Sequence, residues 1–443
     1  MKKMNINKSL LLLVLLCGAS IVNAQQILTQ EDAVKLALDN NYGIKIAKND
    51  VEVANNNTSI LNSGYLPTVT AAAGATYNLD NTEAEYSDGS EPRVFKGAKS
   101  DRYNASINLN YTIFDGLGRR YNYESLKEQY QLSELQARET IENTITQLFS
   151  VYYNVAQLTE NLEALKETLA VSKDRLVRAE YQFEYGQNTK LGVLNAEVDI
   201  NNDSINIISS YQDLKNAKRD LNVVLGNTLD NDFTVNTEVN FALQFQRDSL
   251  FEQAKIRNVA LLQTEKNIAI SQLSIKSNQS GYLPTLGLTG SYGWNKNNNN
   301  GASFASVTTT TGLSAGLNLS WNIFDGGRTK TNVRNAIVNL ETQKLQKENI
   351  LIGIKRDFDN AWEDYTNKLN IFNIQEQNII TSQNNFERTQ EQFKIGQVNS
   401  IEFRQAQLNL LNAELSRNNA KYDAKLAELQ LLQLSGQLLN VDL

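Results

Sequence analysis

Four stretches of the chain alternate strictly between apolar and polar residues, which is the period of a β-strand that buries one face. In the second stretch, for example, apolar Ile107 and Leu109 are separated by Asn108. The stretches lie at about 66–78, 103–115, 283–295 and 311–325. Each is long enough to cross a bilayer, which takes about 9–11 tilted residues, so the pattern is typical of transmembrane strands. A soluble β-sandwich alternates in the same way, but it would not be flanked by helices as long as those predicted here.

The sequence between the strand pairs has the period of long α-helices. It predicts two long helices and two returning helices, at about 119–184, 329–394, 190–226 and 399–435. In the long helices apolar residues recur at every seventh position, from Leu148 to Phe183 and from Phe358 to Phe393. A sustained seven-residue period indicates coiled-coil-like packing against neighbouring helices. At about 1.5 Å per residue, each long helix would measure about 100 Å.

The chain contains two copies of one structural repeat. The hexapeptide SGYLPT at 63–68 returns 217 positions later, and the IFDG motif at 113–116 returns 210 positions later. A shorter helix precedes the hexapeptide in each copy, at about 29–62 and 249–279. The repeats span 25–248 and 249–443, and a connecting segment at about 227–248 closes the first. The seven-residue difference falls in the loops predicted between paired strands, at 79–101 and 295–310, where insertions are tolerated.

The hexapeptide predicts a joint at which a helix stops and a strand begins. Gly64 and Gly281 are placed to take the left-handed conformation that ends many helices. Pro67 and Pro284 follow three residues later, and proline both stops a helix and biases the preceding residue toward extended geometry. Two of the three prolines in the chain are used at these joints.

Four strands cannot close a barrel, and open strand edges are not stable in lipid, so the chain is expected to oligomerise. Two protomers would give eight strands and a filled barrel, whereas three would give twelve strands and a lumen. The polar faces of the strands carry small Ser, Asn, Thr and Gly residues, which favours water inside. The predicted fold is therefore a mixed α and β membrane protein, in which a trimeric 12-stranded barrel continues into a long antiparallel helical tunnel.

Residues 1–24 are typical of a secretory signal peptide, with Lys2, Lys3 and Lys8 before or beside an apolar run and small residues before Gln25. Removing it takes away three lysines and leaves 39 basic and 49 acidic residues, a net charge of −10. That charge argues against a nucleic-acid partner. The remaining chain has no histidine and no cysteine, which excludes disulfides, thiol nucleophiles and the usual zinc ligands. We therefore expect no enzymatic activity, no cofactor and no bound metal.

Taken together, these features resemble the TolC family of outer-membrane factors. The resemblance covers the chain after residue 24 and rests on the combined architecture, because no single motif in it is specific. It implies a homotrimeric duct in the outer membrane of a Gram-negative bacterium, extending into the periplasm. Such ducts serve tripartite efflux pumps or type I secretion systems, together with a periplasmic adaptor and an inner-membrane transporter. The duct would conduct passively and would be gated at its periplasmic helix tips.

The resemblance implies an adaptor-docking site at the turns that join each long helix to its returning helix. The matching positions are Tyr185, Gly186, Gln187, Ile395, Gly396 and Gln397, and the two glycines match the family motif. The family also latches its closed state with a tyrosine and an arginine near the second turn. Those positions hold Phe393 and Val398 here, so no latch residues are carried over.

The resemblance further implies a narrow periplasmic aperture lined by acidic residues, six and nine positions after the second tip glycine. Here those positions are Glu402 and Gln405, so one acid of the pair is present. The matching positions in the first repeat are Gly192 and Asn195. Converging carboxylates would attract cations and disfavour anions. The alternative is that Glu402 is an ordinary solvated acid of a helix.

A barrel-anchored coiled-coil protein with a structural or adhesive role at the surface is the alternative function. The duplication argues against it, because the strand pairs are interspersed between helices rather than gathered at one end of the chain. An outer-membrane hydrolase is a third possibility, and it is disfavoured because no nucleophile or acid–base constellation stands out. Conductance across planar bilayers would distinguish a duct from an anchor, because an anchor need not conduct ions.

Overall fold

The structure of the protein is a computed structural model that describes residues 27–87, 89–227, 229, 233–241 and 245–440. The predicted signal peptide at 1–24 lies outside these residues. The helices are α1 Gln30–Asn40, α2 Tyr42–Asn57, α3 Gly118–Glu184, α4 Lys190–Val224, α5 Arg247–Arg257, α6 Val259–Gln279, α7 Arg328–Lys394 and α8 Ser400–Leu434. The strands are β1 Ile27–Leu28, β2 Thr68–Ala84, β3 Arg93–Phe114, β4 Thr234–Val235, β5 Thr285–Asn298 and β6 Val307–Ser320. None of the helices in these ranges is both long and apolar enough to cross a membrane.

The long helices α3 and α7 have 67 residues each, and the returning helices α4 and α8 have 35 each. Their ends lie within two residues of the positions predicted from the sequence. We call α3 with α4 the first hairpin and α7 with α8 the second hairpin. The heptad residues Leu148 and Val155 of α3 and Phe358 of α7 are fully buried, as the seven-residue period predicts.

The shorter helical stretches differ from the prediction, because each is divided into two helices. The first breaks at Asn41, between α1 and α2, and the second breaks at Asn258, between α5 and α6. The Asn41 side chain donates a hydrogen bond to the Val224 carbonyl at 2.9 Å, and the Asn258 side chain donates to the Leu434 carbonyl at 3.3 Å. Each asparagine thus binds the end of a returning helix instead of continuing its own, which asparagine favours over the middle of a helix.

The predicted loops 79–101 and 295–310 were too long. Strand β2 continues to Ala84 and β3 begins at Arg93, while β5 ends at Asn298 and β6 begins at Val307. Polar residues pair in these extensions, for example Asn297 with Thr308. Because the hydrogen bonds of a ladder join backbone groups, pairing continues after the apolar alternation has ended. In contrast, β6 ends at Ser320, five residues before the predicted end.

The four long strands form one antiparallel sheet in the order β2-β3-β5-β6. The central pair, β3 with β5, joins the two repeats. Directly paired residues lie on the same face of the sheet. One row of paired residues across the four strands consists of Ala71, Ile107, Tyr292 and Leu313. The next row runs through Thr70, Asn108, Ser291 and Ser314. The four alternating patterns therefore place their apolar residues on one common face and their polar residues on the other.

The chain forms two compact units. One contains the described residues up to Ala47, those in Arg138–Asn258 and those from Ile352 onward, and the other contains Lys48–Ala137 and Val259–Leu351. The second unit holds the four-stranded sheet. The first holds both hairpin turns, together with a short parallel pair, β1 with β4, that the sequence did not predict.

The connecting segment between the repeats is packed against the second hairpin through aromatic side chains. Phe241 and Phe245 of this segment, and Phe251 of α5, meet three successive heptad residues of α7, at ring-centre distances of 5.5 Å, 5.7 Å and 5.2 Å. Those heptad residues are Phe372, Tyr365 and Phe358. In the second repeat, the aromatic residues at every seventh position of α7 therefore pack against the connecting segment and α5 as well as against neighbouring helices.

Candidate functional site

The two hairpin turns have the same backbone geometry. The glycines Gly186 and Gly396 have φ angles of 72° and 78°, in the left-handed region that favours glycine. The amide of Gln187 donates to the Gln182 carbonyl at 2.7 Å, and the amide of Gln397 donates to the Gln392 carbonyl at 2.8 Å. Together with the bond from each glycine amide, this is a Schellman motif, which satisfies the last carbonyls of a helix.

An apolar side chain precedes each tip glycine and faces solvent. Tyr185 is 75% exposed and Ile395 is 69% exposed. Each turn therefore leaves apolar area exposed, and covering such area on contact with a partner is favourable. The predicted docking residues are thus accessible, and the glycines between them have a structural role in the turns.

The predicted aperture residues all lie on exposed parts of the returning helices. Glu402 forms a capping box with Asn399: its carboxylate accepts from the Asn399 amide at 3.0 Å, and its own amide donates to the Asn399 side chain at 3.0 Å. Gln405 donates to the Asn409 side chain at 2.8 Å, and Asn195 is exposed. Glu402 therefore stabilises the start of α8, which is a local role beyond that of a solvated acid.

A buried polar cluster joins the two hairpins and was not found from the sequence. We call Ser172, Arg175, Asp199, Asp203, Arg404 and Gln407 the tip cluster. The Arg404 guanidinium donates to both carboxylate oxygens of Asp203, at 2.6 Å and 3.0 Å, and to the Ser172 hydroxyl at 3.1 Å. The Asp203 side chain is only 4% exposed. A buried carboxylate without a cation destabilises the folded chain. This bidentate ion pair therefore holds α8 against α4.

The rest of the tip cluster completes this network across the hairpins. Ser172 of α3 donates to Asp203 at 2.6 Å, and Gln407 of α8 donates to the Thr168 carbonyl at 2.7 Å. Arg175 of α3 pairs with Asp199 of α4. The signal that could have revealed the cluster is a difference between the repeats: Arg404 corresponds to Leu194, and Asp203 corresponds to Ala413. Charged residues that replace apolar ones in only one copy point to contacts that the duplication does not share.

A second contact between the hairpins lies closer to the turns. Arg178 of α3 donates to the carbonyl of Lys394, the last residue of α7. Its guanidinium also lies over the Phe393 ring, 5.3 Å from the ring centre. Phe393 stacks on Phe403 of α8 at 4.7 Å. Phe393 is the residue at the family's tyrosine position, and it contacts a cation through its ring instead of through a hydroxyl group.

Opposed carboxylates lie between the hairpins farther from the turns. Glu414 of α8 is half-buried, and burial raises its pKa to about 7, with a smaller contribution from the negative charge of Glu167 on α3. Nearby, Lys421 of α8 donates to the Glu160 carboxylate of α3 at 2.6 Å. One half-buried carboxylate between the hairpins therefore titrates near neutral pH.

The predicted joints are built differently in the two repeats. Gly64 has a φ of 73°, as predicted, and its carbonyl accepts from the Arg119 side chain at 3.0 Å. The prediction for Gly281 was wrong, because this residue lies inside the 3-10 turn Ser280–Tyr282 and has no left-handed φ. The turn closes through the Leu283 amide, which donates to the Ser280 carbonyl at 3.0 Å, so a left-handed residue is not needed. Pro67 and Pro284 each immediately precede the first residue of a strand.

The aspartate of each IFDG motif caps the long helix that follows. The Asp115 carboxylate accepts from the Arg119 amide at 2.9 Å, and the Asp325 carboxylate accepts from the Thr329 amide at 2.8 Å. These amides lie in the first helical turn, where donors otherwise lack partners. The repeated motif thus starts both long helices in the same way.

Within the described ranges, no group of three or more His, Cys, Asp or Glu residues could hold a metal ion. The features that stand out are the tip turns, the contacts between the hairpins above them, and the two-faced sheet.

Comparison with known proteins gives a consistent result. A family model described as outer membrane efflux protein matches residues 33–227 and 250–437, one segment in each repeat. The outer membrane efflux protein BepC of Brucella suis is 21% identical over 441 residues, which cover 97% of this chain and 91% of that protein. The outer membrane protein TolC of Vibrio cholerae is 24% identical over 390 residues, which cover 86% and 84%.

A solved structure is also similar in fold. The crystal structure of the Campylobacter jejuni CmeC outer membrane channel has a TM-score of 0.76 and an identity of 19% to this chain. The similarity covers 93% of this chain and 87% of that one.

Proposed function

The chain belongs to the outer membrane efflux protein family, and we propose that it is the exit duct of a tripartite efflux pump or a type I secretion system. It is an outer-membrane efflux channel of the TolC type from a Gram-negative bacterium. Family members are channels and not enzymes. In this proposal the duct conducts its substrate passively, and the energy comes from the transporter with which it works.

The observation that carries the proposal is the two-faced sheet. One face is apolar in all four strands, as lipid requires, and the other carries small polar residues, as a water-filled lumen requires. Among the described residues, β2 and β6 each pair on one side only. Three protomers joined through these edges form a closed barrel of twelve strands, which leaves no edge exposed to lipid.

The hairpin turns are the docking site for a periplasmic adaptor in this proposal. Tyr185 and Ile395 offer exposed apolar side chains there, and Gly186 and Gly396 fix the turns that present them. Gln187 and Gln397 complete each turn through backbone hydrogen bonds. An inner-membrane transporter would then deliver substrate to the duct through the adaptor.

Tip opening is the proposed gate. The tip cluster and the contact of Arg178 with Phe393 both join the first hairpin to the second, so they stabilise the arrangement in which the hairpins are close. Docking of the adaptor would favour an arrangement in which these contacts are broken, because a ligand shifts a conformational equilibrium by its difference in affinity. Gating thus becomes a competition between contacts within the chain and contacts with the partner.

The exposed residues of the returning helices line the proposed aperture. Glu402 would contribute three carboxylates to a trimer, with Gln405 and Asn195 as neutral polar neighbours. The capping box uses one carboxylate oxygen of Glu402 locally, which leaves the charge in place and fixes its position at the start of α8. A ring of three carboxylates at a constriction attracts cations.

Single-channel recording in planar bilayers tests the proposal. We expect stepwise conductance from the purified chain, with cations carrying most of the current. Glu402→Gln should reduce that cation preference, whereas Glu387→Gln, at an exposed position of α7, serves as the control. A stable membrane protein without conductance steps would instead indicate a surface anchor.

A further inference from the structure

A small cavity lies between the hairpins and is distinct from the turns where the adaptor would dock. Its volume is about 120 Å³, about four times the volume of a water molecule in the liquid. Arg175, Arg178 and Asp174 of α3 line one side, and Lys394, Phe393 and Phe403 of the second hairpin line another. We call this space the hairpin cavity. Anything that occupies it contacts both hairpins at once.

The lining of the hairpin cavity carries more positive than negative charge. Three of the lining side chains are cations, Arg175, Arg178 and Lys394, against one carboxylate, that of Asp174. Outside the lining, Asp199 pairs with Arg175 and Glu391 pairs with Lys394 at 2.7 Å. Arg178 forms no ion pair within the part of the chain that the structure describes, and the hydrogen bond it donates goes to a neutral carbonyl. The Arg178 guanidinium has further N–H groups that can donate to an anion, and its planar arrangement of donors matches the two oxygens of a carboxylate.

Arg175 adds a second observation. Its side chain is 2% exposed and pairs with Asp199, but its Nε–H group is buried without a hydrogen-bond partner among the described residues. Buried donors in proteins are nearly always satisfied, so an unmatched one at the wall of a cavity calls for an explanation. Because Arg175 lines the hairpin cavity, an anion bound there is a candidate acceptor for this group.

The remaining walls of the hairpin cavity are apolar except for Gln390. The Phe393 and Phe403 rings stack in parallel at 4.7 Å, and Val171 lies beside them. A ligand with a charged end and a flat apolar body fits this combination, since the charge meets the cations while the body covers the rings. The Asp174 carboxylate makes the cavity less suited to a group with two negative charges, such as phosphate.

We infer that the hairpin cavity is a binding site for small organic acids that carry one carboxylate on an aromatic or apolar body. The carboxylate accepts from Arg178 and Lys394, and the body lies against Phe393 and Phe403. This binding does not depend on the transport role, and its failure would leave the proposed function untouched.

Benzoate is a suitable probe, and benzamide is its matched neutral control. Binding of each to the purified full-length chain in detergent can be measured by saturation-transfer NMR and by calorimetry at low salt. We expect saturable binding of benzoate that weakens as salt is added, and at least tenfold weaker binding of benzamide. Equal affinity for the two compounds would overturn the inference, because the cations would then have no part in binding.

Two variants locate the site. Lys394→Gln removes a lining cation but keeps the backbone carbonyl that Arg178 contacts, and Arg178→Gln removes the unpaired guanidinium. Each should weaken benzoate binding about tenfold. Arg388→Gln, which removes an exposed cation of α7 outside the lining, should bind as the parent chain does. Unchanged binding in both cavity variants, or an equal loss in the Arg388 variant, would place benzoate elsewhere and refute the inference.

Discussion

At the scale of single residues, the most informative positions are those at which the two repeats differ. Arg404 and Asp203 correspond to Leu194 and Ala413 in the other copy, and they form the bidentate pair of the tip cluster. The IFDG aspartates and the tip glycines act in the same way in both copies. Arg404 and Asp203 break the duplication and join one hairpin to the other, whereas Ser172 and Arg178, which also join the hairpins, correspond to Ser382 and Arg388.

Replacing each member of this pair by the residue of the other copy tests its contribution. Arg404→Leu leaves Asp203 buried without its cation, and such a loss costs about 3–5 kcal/mol. The variant should open more often in planar bilayers and unfold at a lower temperature. In the double variant, Arg404→Leu with Asp203→Ala, no charge is left unpaired, so much of the lost stability should return. Strictly additive losses of the two single variants would show that the pair is not coupled.

The raised pKa of Glu414 gives a pH dependence. The pKa is about 7 in the folded chain and 4.5 for an unperturbed glutamate, so between these values the folded chain holds more protons than the unfolded one. Stability should therefore fall as the pH rises from about 4.5 to about 7. Glu414→Gln should flatten this fall and raise stability at pH 8 by about 1 kcal/mol, after allowance for solvent screening at a half-exposed site.

Thermal unfolding of the parent chain and the Glu414 variant at pH 5 and pH 8 checks this dependence. Glu167→Gln is the matched control, and it should flatten the profile only in part, because burial contributes more to the shift than the charge of Glu167 does. Parallel profiles for the parent chain and Glu414→Gln would contradict the assignment.

At the scale of elements, the long helices were predicted closely and the shorter ones were not. An apolar residue at every seventh position from Leu148 to Phe183 and from Phe358 to Phe393 identifies α3 and α7 as long helices. The breaks at Asn41 and Asn258 depend on carbonyls about 180 residues away in the sequence, which local patterns do not contain. The strands were predicted too short because backbone groups continue to pair after the apolar alternation ends. The left-handed conformation predicted for Gly281 is not needed, because the Leu283 amide closes a 3-10 turn there.

The candidate site was also only partly predictable from the sequence. The resemblance and the glycine spacing were enough to find the turns, including Tyr185 and Ile395 beside them. The tip cluster depends on side chains more than 200 positions apart, Asp203 and Arg404, that meet only after the hairpins have packed. When the two repeats are aligned, Arg404 and Asp203 are each charged residues whose counterparts in the other repeat are apolar. That difference is a signal from which the pair could be predicted.

The exposed apolar residues of the turns lead to a prediction about docking. Ile395→Ser removes apolar area at the second turn, so we expect weaker capture of the adaptor and a several-fold loss of efflux from cells. Ile395→Val keeps the apolar character and should retain most of the activity. Pull-down of the adaptor with each variant is the measurement, and equal capture by both would exclude Ile395 from the docking surface.

At the scale of the whole molecule, the proposed barrel requires further copies of the chain, because within the described residues β2 and β6 each pair on one side only. Light scattering in detergent, corrected for the bound detergent, should give a mass three times that of the protomer. Replacing Ala71 of β2 with proline removes a backbone donor and fixes φ in an edge strand, and should lower the yield of assembled protein. A mass of two protomers would favour the filled eight-stranded barrel instead.

The central claim is that separation of the hairpin tips opens the duct. The single cysteine of the chain is Cys17, in the predicted signal peptide, so introduced cysteines can be crosslinked selectively. Arg178→Cys with Lys394→Cys places one thiol on each hairpin, at positions whose groups are in contact in the parent chain. A short, reducible thiol crosslinker can then join them and release them in one and the same preparation.

The decisive measurement is the conductance of this double-cysteine variant in planar bilayers, before and after reduction of the crosslink. The account predicts a low conductance while the hairpins are joined and a several-fold increase once the reductant releases them. Conductance that is the same in both states, with complete crosslinking shown by mass spectrometry, would contradict tip opening as the gate.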